Sequence, residues 1–76
     1  MKQVCYGIVG KENRYVPVYK RPSVLSQVLT YLYPGDIVII DDSESTSCYY
    51  KIKSDSGADG FCIQTTIDRK DEGYGP

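Results

Sequence analysis

The chain has 76 residues, nine basic and ten acidic, a formal net charge of −1 and a hydrophobic fraction of 41%. That length holds one small domain, which buries only ~60% of the surface its unfolded chain exposes, so a deep internal catalytic cavity is not expected. The charge balance gives no basic excess for phosphate binding and argues against nucleic acid as a partner, and the absence of histidine removes the commonest general base and the commonest metal ligand.

In chain order, residues 4–9 form the first strand candidate, stopped by Gly10. Residues 11–14 (KENR) are a polar loop. Residues 15–19 (YVPVY) are extended, and Pro17, which cannot donate to a ladder, places them on an edge or outside regular pairing. Pro22 turns the chain. Residues 24–33 (VLSQVLTYLY) match both a helical stripe and a strand face, with β-branched and aromatic content favouring strand from Gln27 onward. PGD at 34–36 is a tight turn, and IVII at 37–40 is the most strand-like run.

An acidic, serine-rich loop follows at 41–47, then the strand CYYKIK, the loop SDSGADG and the return strand FCIQ. A short turn closes at TTI. Residues 68–76 lack apolar periodicity and read as a disordered tail or linker. The expected fold is therefore all-β, one domain over residues 1–67, with no internal repeat.

Read together, these elements resemble the bacterial SH3-like domain family over residues 4–67. That family runs from an extended Leu-Asn-Val-Arg segment through a Gly-Pro-Ser turn to an apolar strand. A Gly-centred turn leads into Val-x-Val, and the domain ends with Trp-x-Lys-Val and a Gly-Tyr-Val return strand. Here Val16 and Val18 match the opening segment, and Pro22 and Ser23 match the turn. SQVLTYLYPGDIVII matches the strand–turn–strand unit with Gly35 at the glycine, YYKI matches the Trp strand, and GFC matches the return. Pro17 and Tyr19 stand in place of the Asn and Arg, Arg21 in place of the Gly, Tyr49 in place of the Trp and Cys62 in place of the Val. The resemblance implies a small, partly open SH3-like barrel of about five short strands.

Three cysteines without close pairs do not read as a disulfide framework. Cys48 and Cys62 sit among apolar neighbours and read as core or inert thiols, in preference to a disulfide across the hairpin or, with Cys5, a zinc site. The serines have no histidine to activate them, so no catalytic residue, metal or cofactor is expected. In DSGADG, Gly57 occupies a middle ligand position and no glutamate follows, so a hairpin loop is favoured over a calcium loop.

Eight tyrosines without a tryptophan are the most informative feature. A tyrosine offers an apolar ring with a polar tip, suited to stacking on sugars or packing on peptides. Strand alternation puts Tyr50 with Ile52 on the core side and turns Tyr49 and Lys51 outward. By the resemblance, the first aromatic of this strand lines a surface groove, which Tyr19 and Tyr15 can approach. The candidate ligand-binding residues are Tyr49, Lys51, Tyr19 and Tyr15. Tyr31 and Tyr33 share an outward face, forming either an exposed patch or a packing surface for the segment at 15–19.

These features point to a non-catalytic binding module, and the resemblance implies that it recognises cell-wall peptide or glycan. The alternative is a structural subunit or decoration of a larger assembly such as a phage tail or baseplate, with a protein partner. No apolar run approaches the ~20 residues of a membrane-spanning helix, and the N-terminal MKQVCYGIVG lacks the features of a signal peptide. A complete protein would be cytoplasmic or virion-associated, and a fragment of a longer secreted protein would be extracellular or in the cell wall.

Overall fold

A computed structural model describes residues 5–71. Its strands are β1 (Cys5–Val9), β2 (Val16–Tyr19), β3 (Val28–Leu32), β4 (Ile37–Asp41), β5 (Tyr49–Ser54), β6 (Asp59–Ile63) and β7 (Ile67–Asp71). They form one antiparallel sheet in the order β3-β2-β6-β5-β4-β1-β7. The end strands β3 and β7 do not pair with each other, so the curled sheet is a small barrel left partly open. The described residues contain no α-helix, only a 3₁₀ turn at Gln64–Thr66 before β7. The all-β expectation holds, with seven strands where about five were expected.

One extra strand comes from the expected tail. Residues 68–71 are charged throughout and give no apolar signal, yet they pair with β1 from Val9↔Ile67 to Cys5↔Asp71. Ile67 alone anchors this strand in the core; backbone pairing with β1 and the Arg69 side chain, bonded to Asp42, hold the rest. Residues 72–76 of the expected tail, and Val4 of the first strand candidate, lie outside the described residues.

Alternation along each strand sends one residue in two to a shared interior. Val9, Val16, Val18, Leu32, Val38, Ile40, Ile52, Cys62 and Ile67 meet there with Cys5, and Tyr50 packs against them. The core is dominated by branched aliphatic side chains, which suit a pleated surface. Full burial of each stabilises the fold by about 1.5–3 kcal/mol.

Pro17 is accommodated by the parity of β2. The Lys20 N–H donates to the Gln27 carbonyl (2.8 Å), so the even-numbered residues of this segment turn their backbone groups toward β3. Pro17, opposite Tyr31, turns its missing donor to the other side, where β6 meets β2 only at Tyr19↔Phe61. The expectation of an edge segment is corrected: β2 lies inside the sheet order, paired with β3 along its length with one register shift at Val18/Tyr19, and open beside Pro17.

That single β2–β6 junction is close because β6 offers a glycine. Gly60 faces inward opposite Ile52. A Cβ there would overlap the Tyr19 carbonyl oxygen and approach Val18 Cγ1 to 2.8 Å. The absence of a side chain lets β2 cross over β6 and brings Tyr19 beside Phe61.

Candidate functional site

The four expected site residues divide between two places on the outer face. Tyr49 and Lys51 leave β5 on the outward side, as expected. Across β6 they face Ile63 and Phe61, and Phe61 in turn faces Tyr19. The rings of Tyr19 and Tyr49 meet edge to face, with centroids 6.4 Å apart and planes at 84°. This is the attractive geometry for two quadrupoles. Tyr19 is consequently buried and Tyr49 half-buried, so little of this pair remains for a ligand.

The start of β5 is pinned by the preceding loop. Thr46 Oγ1 accepts from the Tyr49 N–H (3.0 Å), and the Thr46 N–H donates back to the Tyr49 carbonyl (2.8 Å). Gln64 donates from its backbone to the Cys48 carbonyl (2.9 Å) and from Nε2 to the Thr46 carbonyl (2.7 Å). The 3₁₀ turn thereby fixes the loop that delivers Tyr49.

Lys51 is occupied by its own neighbours. Its Nζ lies 2.9 Å from Asp59 Oδ1 and 3.5 Å from Glu44 Oε1, and 5.8 Å from the centre of the Phe61 ring. The Asp59 hydrogen bond raises its pKa above the usual lysine value. Desolvation opposes that shift, while the charges of Asp59 and Glu44 add to it. Lys51 is thus a charge already balanced, and its geometry fits a clasp between β5, β6 and the 41–47 loop.

Tyr15 does not join this group. It packs edge to face on Tyr31 (5.2 Å between centroids, planes at 89°). With Tyr33 these rings line a shallow depression of about 240 Å³. The three remain 55%, 46% and 57% exposed. The register Pro17↔Tyr31 across β2 and β3 creates this cluster. Sequence alternation put Tyr31 and Tyr33 on one outward face, but it did not show that Tyr15 belongs with them and not with Tyr49.

The cysteines also separate. Cys62 is a free, fully buried thiol whose pKa burial pushes up to about 12. Cys48 is free and exposed, which removes the core alternative of its reading as a core or inert thiol. It sits at the surface because it precedes β5 in the loop; Tyr50, not Cys48, opposes Cys62. Cys5 is buried at the start of β1, with Arg69 Nη2 3.1 Å from its sulfur.

Arg69 also grips Asp42 with two hydrogen bonds of 2.7 Å and lies over the Tyr50 ring. It ties β7 to the acidic 41–47 loop and, chiefly through hydrogen bonding, holds the Asp42 carboxyl below the usual aspartate value. The DSGADG segment is the β5–β6 turn, with Gly57 at φ +94° and the Ala58 N–H donating to Ser54 Oγ (3.1 Å).

A larger open recess of about 500 Å³ lies beside Gly10, Lys11, Glu12, Thr66 and Ile67 and includes none of the expected site residues. No helix among the described residues is long and apolar enough to cross a membrane. In comparison with known proteins, no family model matches the chain and no curated sequence does.

Proposed function

We propose that this chain is a non-catalytic binding module of the bacterial SH3-like kind, recognising cell-wall peptide or glycan on exposed tyrosines. The observation that carries the reading is the depression walled by Tyr15, Tyr31 and Tyr33. These three rings are solvent-facing, and an edge-to-face contact presets two of them, Tyr15 and Tyr31. Such rings offer apolar area at small entropic cost and hydroxyls at the rim. The chain order supports the SH3-like assignment: a hairpin (β2, β3) between β1 and β4, a meander from β4 to β6, and a 3₁₀ turn before a last strand on β1. The exposed cluster is a better candidate than Tyr49, whose ring is committed to Tyr19. A protonated, buried Cys62 and a chain without histidine support the non-catalytic part.

The test is co-sedimentation with purified peptidoglycan. Wild type should sediment, Tyr33→Ala should retain on the order of a tenth of the binding, and Lys51→Gln should bind as wild type. A wild-type protein left entirely in the supernatant removes the wall-binding proposal.

A second reading, a subunit of a larger assembly, is favoured by a different observation. Of the eight large apolar residues left exposed among the described residues, Tyr15, Val24, Leu25, Leu29, Tyr31 and Tyr33 all fall in or beside the β2–β3 hairpin, Leu25 at 93%. Concentration of apolar surface on one element marks a partner-facing side. Light scattering across a concentration series separates the two readings, since the assembly reading requires an oligomer or a co-purifying protein.

A further inference from the structure

The sheet has two open ends, and they are built differently. In β7, four of five residues are charged (Asp68, Arg69, Lys70 and Asp71), which discourages pairing with another chain. In β3 the sequence VLTYL contains neither a charge nor a proline. Among the described residues β3 has a strand on one side only. Val16 and Val18 turn their backbone groups to Leu32 and Thr30 across the ladder. By alternation, the Tyr31 N–H and C=O point to the open side.

The available stretch is short. A register shift at the Val18/Tyr19 step bounds it toward Val28. The Asp36 carboxylate, accepting from the Tyr33 N–H at 2.9 Å, bounds it at the other end. Alongside runs a groove of about 240 Å³, with Tyr31 and Ile37 as apolar walls and Asp36 and Asp55 at its margin. The opposite end of β3 enters a loop bearing Lys20 and Arg21. That loop is held in shape by Ser26 Oγ, which accepts from the Arg21 N–H and donates to the Ser23 carbonyl. Arg14, the remaining cation of residues 13–35, precedes β2 at the Leu32 end of the ladder and, against Asp36 and Asp55, leaves that end net acidic. The edge thus runs from carboxylates near Leu32 to cations near Val28.

We infer that the β3 edge adds a short extended peptide, antiparallel, cationic toward its N-terminal end and acidic toward its C-terminal end. Antiparallel addition continues the pattern of every ladder in the sheet and is the more stable pairing. It sets the peptide's N-terminal end beside Asp36 and Asp55 and its C-terminal end beside Lys20 and Arg21. The Tyr31 backbone supplies a hydrogen-bond pair, and the groove receives alternate side chains. This rests on backbone edge and charge; of the rings invoked for wall binding it shares only Tyr31.

The experiment titrates ¹⁵N-labelled full chain with the capped peptide Lys-Val-Thr-Val-Thr-Val-Asp. Controls are the same peptide with its end charges exchanged and one with N-methylated central amides. The first peptide should shift the Tyr31 amide most and slow its hydrogen exchange about tenfold near saturation. The charge-exchanged peptide should bind on the order of tenfold more weakly at low salt, a difference that shrinks as salt rises. The N-methylated peptide should not protect Tyr31. Four results overturn the inference: no change at Tyr31 with millimolar peptide, equal binding of the N-methylated peptide, preference for the charge-exchanged peptide, or a Tyr31 amide already protected in a dimer of the free protein. Failure of peptidoglycan sedimentation with Tyr31 protection intact would remove the wall reading and leave this one standing.

Discussion

Replacing Gly60 with alanine tests the junction that positions Tyr19. Elsewhere in a strand this change would stabilise by about 0.4–1 kcal/mol, because it removes conformational freedom from the unfolded chain. At Gly60 the new methyl group overlaps the Tyr19 carbonyl oxygen and comes within 2.8 Å of Val18 Cγ1 and 3.2 Å of Leu29 Cδ1. Leu29 can rotate away, but a main-chain carbonyl cannot, so β2 must lift from β6. Overpacking of this kind costs about 1–3 kcal/mol. The upper part of that range applies, and the net loss expected is about 2 kcal/mol. For a domain of this size that lowers Tm by roughly 10 °C. Urea unfolding followed by far-UV circular dichroism should show a lower midpoint at unchanged slope. The near-UV tyrosine signal should weaken as Tyr19 leaves Tyr49. Gly57→Ala is the matched control: nothing lies within 4 Å of its Cβ, and its φ of +94° costs about 1 kcal/mol through backbone strain alone. If Gly60→Ala unfolds at the wild-type urea concentration or above, the close β2–β6 crossing is wrong.

A double-mutant cycle of Tyr19→Leu and Tyr49→Leu should give a coupling energy of about 0.5–1.5 kcal/mol from urea midpoints; additive effects would deny the ring contact. A thiol reagent at neutral pH should modify Cys48 promptly, while Cys62 should react only at the rate of unfolding, as mass spectrometry of digests would show. Burial places the Cys62 pKa near 12, above its ordinary 9.0, so its contribution is complete below pH 9 and is lost as pH rises toward 12. Wild type should lose up to about 4 kcal/mol more than Cys62→Val across that window. For Asp42, held low by Arg69, the sign is opposite: its contribution is present above the ordinary aspartate pKa and lost as acid protonates it, and Arg69→Gln should flatten that part of the stability profile.

The strands most legible in the sequence are those whose side chains announce them. The β-branched content from Gln27 onward yields β3, and the SDSGADG turn yields the β5–β6 hairpin. IVII reads as a strand without revealing its parity, since four apolar residues in a row look alike. The structure turns Val38 and Ile40 inward and leaves Ile37 and Ile39 half exposed. That choice follows from pairing with β1, where Ile8 and Tyr6 sit opposite the two outward isoleucines. β7 is invisible for the converse reason. Its charged residues are held by backbone groups that every residue possesses and by the Arg69–Asp42 pair, whose partner lies 27 residues away in sequence, so composition cannot distinguish it from a linker.

The candidate site was half legible for a related reason. Alternation along β2 puts Tyr15, Pro17 and Tyr19 on one face, and that much is local information. Four residues of extended chain span about 13 Å, however, more than one sugar ring or one side chain covers. Whether Tyr15 and Tyr19 serve the same ligand therefore depends on what each meets across the sheet. Tyr19 meets Phe61 and Tyr49 and is buried by them, while Tyr15 meets Tyr31 and stays open. These partners arise from the β2–β3 register and from the crossing at Gly60, both of them long-range consequences of folding. A pair of equivalent tyrosines in the sequence thus becomes one packing residue and one surface residue. A ligand that used both would have to lie extended along β2.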